Sequence, residues 1–133
     1  MLKIMLVDDD ENILKSLTRS LRAINNARIE TFLSAEDAIK RAKQCMFDIV
    51  ISDFQMPGTN GIRFLSEFKT IQPDTIRIIL TGCSDSQVII EAINRANTFK
   101  YITKPWDEKE LFNTINECQR KSTFIPIGQK VIW

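Results

Sequence analysis

Two hydrophobic rhythms take turns along this chain. Short apolar runs at Lys3–Val7, Arg28–Phe32, Asp48–Ser52, Ile76–Leu80 and Phe99–Thr103 read as strands. Between them apolar residues recur at helical spacing. Ile13, Leu14, Leu17, Leu21 and Ile24 predict a helix over Glu11–Ile24, and Ala38, Ile39 and Ala42 predict one from Ala35 to about Cys45, capped by Ser34. Ile62, Leu65, Phe68 and Ile71 predict Gly61–Ile71, ended by Pro73. Val88, Ile89, Ala92, Ile93 and Ala96 predict a helix capped by Ser84, and Leu111, Ile115 and Cys118 predict one from Asp107 to about Arg120. Strand and helix thus alternate five times. Continuous apolar strands separated by helices imply an α/β fold whose parallel sheet is covered on both faces. Arg28–Phe32 is the most polar strand and is expected near an edge.

The bulk properties narrow the function. With 133 residues, 44% of them hydrophobic and 26% charged, the chain suits one globular domain. That domain is expected over residues 1–121, with 122–133 as a tail or the start of a linker to an absent output domain. The net charge of +1, well mixed, gives no electrostatic case for nucleic acid or a membrane surface. No apolar run approaches the roughly 20 residues of a spanning helix, and Met1 leads straight into a strand rather than a signal peptide. A cytoplasmic location is expected. Cys45, Cys83 and Cys118 are widely spaced and read as reduced thiols. The chain has no histidine, which excludes a histidine-based triad and, with its cysteines widely spaced, argues against a zinc site.

Candidate chemistry collects at the strand ends. The first strand runs into Asp8 and Asp9, the third into Asp53, the fourth into Thr81 and the fifth into Lys104. In a parallel sheet these ends share one edge, where open α/β folds bind their ligands. Three neighbouring carboxylates repel, and a hard divalent cation relieves that repulsion. Asp53 is therefore expected to be a nucleophile that accepts a phosphoryl group. Mg²⁺ (or Mn²⁺), the Lys104 ammonium and the Thr81 hydroxyl would take its oxygens. Gly82 would leave room for the group. Asp10 and Glu11, by contrast, suit plain helix N-terminal roles.

Those segments, MLVDDDE, VISDFQMPGTNG, IILTG and YITKPW, resemble the receiver domain of bacterial two-component response regulators, over about Met1 to Lys121. The resemblance implies a flavodoxin-like sheet of order 2-1-3-4-5 with five helices. It implies Asp53 as the phosphoacceptor, and Asp9, Asp53 and the Gln55 backbone carbonyl as metal ligands, with Asp8 reaching the metal largely through water. It makes Thr81 and Tyr101 switch residues, Lys104 the phosphate-binding lysine and Lys104–Pro105 a cis bond. Gln55 and Cys83 fall where receivers tune dephosphorylation. The implied function is a phosphorylation-dependent signalling switch, not a turnover enzyme. A sensor histidine kinase or phosphotransfer protein would supply the phosphoryl group. The face of the fourth helix, fifth strand and fifth helix would control an effector, a fused output domain or a homodimer. An aspartyl-nucleophile phosphatase is the alternative enzyme, but such enzymes usually place the nucleophile of their DxD motif on the first strand, whereas the candidate nucleophile here follows the third. A pure interaction module would not need Asp8, Asp9, Asp53, Thr81 and Lys104 together.

Overall fold

The computed structural model describes residues 2–24, 26–82, 94 and 100–124. Strand β1 (Leu2–Val7) pairs in parallel with β2 (Ala27–Phe32) on one side and β3 (Ile49–Asp53) on the other. Two short strands, β4 (Gln55–Met56) and β5 (Thr59–Asn60), form a separate antiparallel ribbon. The main sheet continues from β3 through β6 (Ile76–Thr81) to β7 (Lys100–Thr103), all parallel. Its order, β2-β1-β3-β6-β7, is the expected 2-1-3-4-5 with the ribbon set aside, and the polar β2 lies at the edge.

Four helices belong to the described residues: α1 (Glu11–Leu21), α2 (Ala35–Ala42), α3 (Gly61–Ile71) and α4 (Glu108–Phe124). The helix expected after Ser84 lies outside them, with Cys83 and Phe99, although Asn94 within that span is helical. The tail from residue 125 also lies outside.

Alternation along the strands sorts the core into two layers. Met5, Val7, Val50 and Ile79 face α2 and α3, with Ala38, Ile39, Leu65 and Phe68. Ile4, Leu6, Ile49, Ile51, Ile78, Leu80 and Ile102 face α1 and α4, with Leu14, Leu17, Leu111 and Ile115. Burial of each such side chain is worth roughly 1.5–3 kcal/mol, so both layers are strongly favoured. Apolar residues on both faces cannot by themselves set register, because a one-residue slip exchanges one apolar set for the other. Polar pins do so at the lower edge. The Lys3 N–H donates to Asp48 Oδ2 at 2.8 Å, and the Asp48 N–H donates to the Lys3 carbonyl at 2.9 Å.

Helix ends differ from the apolar pattern where side chains intervene. Helix α1 stops at Leu21, not Ile24, as the chain tightens (Ile24 N–H to Leu21 O, 3.0 Å) and Asn26 takes a positive φ of 62°. Helix α2 stops at Ala42, not near Cys45. The buried Gln72 amide takes the carbonyls of Ala42 (2.8 Å) and Cys45 (2.6 Å), and its Oε1 accepts from Phe47 N–H and the Thr75 hydroxyl. Helix α4 runs on to Phe124 instead of about Arg120, since no breaker occurs before Pro126.

Candidate functional site

Register builds the site before any side chain acts. The last paired residues of β1 and β3 are Val7 and Ser52. One residue further, Asp8 and Asp53 stand side by side on adjacent strands. They share the parity of Leu6 and Ile51 and so point to the same side of the sheet. Backbone bonds extend the ladder just past the strand ends: Asp8 N–H to Phe32 O at 3.1 Å, Phe54 N–H to Leu80 O at 3.0 Å and Lys104 N–H to Thr81 O at 2.9 Å. Lys104 shares parity with Ile102, so it comes to the same side as both acids.

The result is a cleft of about 700 Å³ lined by Asp8, Asp9, Asp53, Gln55, Thr81 and Lys104, together with Asp10, Phe54, Met56, Pro57 and Gly82. The Lys104 ammonium donates to Asp53 Oδ1 at 2.9 Å and lies 3.1 Å from Asp8 Oδ2. Burial lowers the Lys104 pKa, but its hydrogen bond to Asp53, its ion pair with Asp8 and their charges outweigh this, and the net direction is upward. Asp8 is 1% exposed. Burial pushes its carboxyl upward, and Asp53 adds to the push. The Asp10 N–H, which donates to Oδ1 at 2.9 Å, and Lys104 oppose it. Asp10 itself caps α1, accepting from Asn12 N–H at 2.9 Å.

The acids fit a divalent cation. Carboxylate oxygens of Asp8, Asp9 and Asp53 lie within 4.8 Å of one another. Asp8 Oδ2 is buried, and among the described residues its one partner is the Lys104 ammonium, an ion pair at 3.1 Å. Three carboxylates against one ammonium leave a lone pair and net negative charge. A hard cation with oxygen ligands would satisfy both.

Of the remaining expected residues, Thr81 lies 3% exposed at the end of β6. Gln55 lines the cleft from the ribbon, opposite Asn60. A Cβ on Gly82 would meet no atom within 4 Å, so the chain there borders open space. Tyr101 does not line the cleft. It stands in register with Ile79, two residues below Thr81, and packs half-buried against the α2–α3 layer. Cys83 lies outside the described residues. The Lys104–Pro105 bond is cis, as the resemblance implied.

One residue of the site escaped the periodicity. Gly61 opens α3 directly under Asp53, its N–H donating to Phe54 O at 2.6 Å. A Cβ there would come within 2.4 Å of the Asp53 carbonyl oxygen and 3.0 Å of Phe54 Cα. The signal available in sequence was a glycine at the first helical position, next to a cap residue, where only close backbone approach favours it.

This doubly wound sheet, with acids and a lysine gathered at its carboxyl edge, defines a flavodoxin-like receiver architecture. The match extends to sequence: residues 4–116 fit the family model of the response regulator receiver domain, and the chain belongs to that family. It is 32% identical over 115 residues to the hydrogenase transcriptional regulatory protein HoxA of Cupriavidus necator, covering 86% of this chain but 23% of HoxA. The chain thus spans about a quarter of that relative's length. Among solved structures, the signal receiver domain of an HD domain-containing protein from Pseudomonas fluorescens Pf-5 superposes with a TM-score of 0.84 at 31% identity, covering 90% of this chain and 88% of that one. The BeF₃-activated receiver domain of DrrB, a Thermotoga maritima protein, gives 0.82 at 31% identity, covering 90% and 98%. The chain is therefore a signalling domain, the receiver module of the response regulator family, rather than a classical enzyme. No helix among the described residues is long and apolar enough to cross a membrane.

Proposed function

We propose that Asp53 accepts a phosphoryl group and that the switch is thrown by its modification. The observation that carries this is the Lys104 ammonium held between Asp53 and the buried Asp8 carboxylate, with Asp9 beside them. Asp53 attacks phosphorus through a carboxylate oxygen. The P–O or P–N bond to the donor breaks, the leaving group departs with its electron pair, and an acyl phosphate remains. Lys104 holds Asp53 through Oδ1 and then neutralises a phosphoryl oxygen. Thr81 offers its hydroxyl to another. Asp8, Asp9, Asp53 and the Gln55 carbonyl would hold Mg²⁺, which supplies charge neutralisation when bound.

The new charge, roughly −1.5 to −2, biases a two-state equilibrium through its contacts with Thr81 and Lys104. Thr81 and Tyr101 lie on the same face of the sheet, so movement of one bears on the space of the other. The donor is a sensor histidine kinase or phosphotransfer protein, and the output is a downstream effector or fused domain. The setting is cytoplasmic. Residues 1–121 act as the receiver and 122–133 as its tail or linker. Gln55 and Cys83 set the acyl-phosphate lifetime.

The test is intact mass after incubation with acetyl phosphate and Mg²⁺. The wild type should gain one phosphoryl group, and Asp53→Asn should gain none. Gain in both would place the phosphate elsewhere. No gain in either, repeated with histidine kinases as donors, would favour a phosphorylation-independent interaction module.

A further inference from the structure

The apolar stripe by which α1 packs on the sheet contains one polar residue. Leu14, Leu17 and Leu21 are buried as the period requires, and Ser20 is buried among them, 7% exposed. Serine is a weaker helix former than alanine, and a buried hydroxyl needs partners. Ser20 has two, and neither belongs to α1. Its Oγ accepts from the Trp106 indole N–H at 3.3 Å, and its hydroxyl donates to Glu108 Oε2 at 2.7 Å. Trp106 packs half-buried against the α1–α4 layer. A single oxygen on α1 therefore grips the chain two and four residues beyond Lys104.

That grip falls where the proposed chemistry is most sensitive. Lys104 enters its turn from β7, fixed by its own N–H on Thr81 O. On the far side of Pro105 the chain is fixed by Trp106 and Glu108 on Ser20. The ammonium that must sit between Asp8 and Asp53 is carried by the first of these anchors, with only Pro105 separating it from the second. Accepting the reading of Asp53 and Lys104 given above, we propose that Ser20, acting with the Trp106 indole, is a positioning residue that holds the Lys104 turn and so sets the rate of phosphoryl transfer. It touches neither phosphoryl group nor metal. An ordinary tie between α1 and the start of α4 would contribute to stability alone, and the two roles differ in what they move.

The test compares wild type, Ser20→Ala, Trp106→Phe and the double variant. Trp106→Phe keeps an aromatic ring in the apolar layer, removes the donor and trims the indole's second ring, a loss of packing that the thermal melt reads separately. Phosphorylation by acetyl phosphate at saturating Mg²⁺ is followed by intact mass, Mg²⁺ affinity by calorimetry and folding by thermal melting. Each single variant should phosphorylate about tenfold more slowly, a fraction of the hundredfold that a full ångström of misplacement costs. Mg²⁺ affinity, set by the carboxylates, should change less than about twofold, since no ligand moves. The double variant should be no slower than the worse single one, as expected of two residues acting through one contact. Wild-type rates in both folded single variants would overturn the proposal, as would a fall in Mg²⁺ affinity that parallels the rate, or fully additive losses. If the wild type itself takes up no phosphoryl group, the reading of Asp53 falls, and this proposal with it.

Discussion

Removing the charge of Asp8 should make the metal-free protein more stable. Asp8 is a 1% exposed carboxylate beside Asp53 on the neighbouring strand, and burial drives its pKa upward despite the Asp10 N–H and Lys104. The folded state thus opposes its ionisation on balance. Leaving a charged buried oxygen without a hydrogen bond costs on the order of 1–3 kcal/mol. The ion pair with Lys104 at 3.1 Å returns part of that. In Asp8→Asn the amide oxygen keeps the Asp10 N–H, and a neutral amide replaces the like charge beside Asp53 while giving up the ion pair with Lys104. A net gain of about 1 kcal/mol is expected, which for a domain of this size raises Tm by roughly 3–5 °C. In the wild type, Mg²⁺ should do the same work by binding only the folded state. At ten times its Kd it adds about 1.4 kcal/mol. Thermal melts of both proteins in EDTA and in Mg²⁺ check this: Asp8→Asn should melt higher in EDTA, and its further rise with Mg²⁺ should be smaller than that of the wild type. An Asp8→Asn protein that melts at or below the wild type in EDTA would show that Lys104 already compensates the buried acid, and would remove the main structural argument for a cation.

Other consequences follow from single contacts. Gly61→Ala places a Cβ where only 2.4 Å separates it from the Asp53 carbonyl oxygen. The backbone of Asp53 must shift, and phosphorylation by acetyl phosphate should slow at least about tenfold with a lowered Tm; an unchanged rate would mean that the ribbon yields instead. Gln72→Ala strips partners from Phe47 N–H, Ala42 O and Cys45 O, so urea unfolding should show a loss of about 2–4 kcal/mol, while the folded fraction phosphorylates normally. The Arg41 guanidinium bonded to Glu30 holds the Glu30 carboxyl below its ordinary value of 4.5. A lowered folded pKa gives stability that is present above 4.5 and lost as pH falls through the lowered value. Glu30→Gln should therefore be slightly less stable than wild type at pH 7 and indistinguishable from it in acid. A difference that persisted there would point to packing rather than charge.

The sequence alone determined the alternation of elements, the inward stripes of α1, α2 and α3, the edge position of β2 and the convergence of Asp8, Asp9, Asp53, Thr81 and Lys104. These follow from periodicity and from one topological fact: parallel strands end on the same side. The two-layer core was legible for the same reason, since strand parity and helix period are local properties. Tertiary structure decided what local patterns cannot carry. Register came from Asp48 on Lys3, because apolar faces on both sides of the sheet make neighbouring registers equivalent in pattern. The end of α2 was set by Gln72, 30 residues away from the Ala42 carbonyl it binds. The loop after Asp53 became a ribbon because Gln55 and Met56 found Asn60 and Thr59 as partners. The close approach of Gly61 to Asp53, the ion pair of Asp8 with Lys104 and the bonds of Ser20 to Trp106 and Glu108 likewise exist only between segments. Each is an exchange of hydrogen bonds, charge or excluded volume between separate segments, and hydrophobic spacing along the sequence does not encode it.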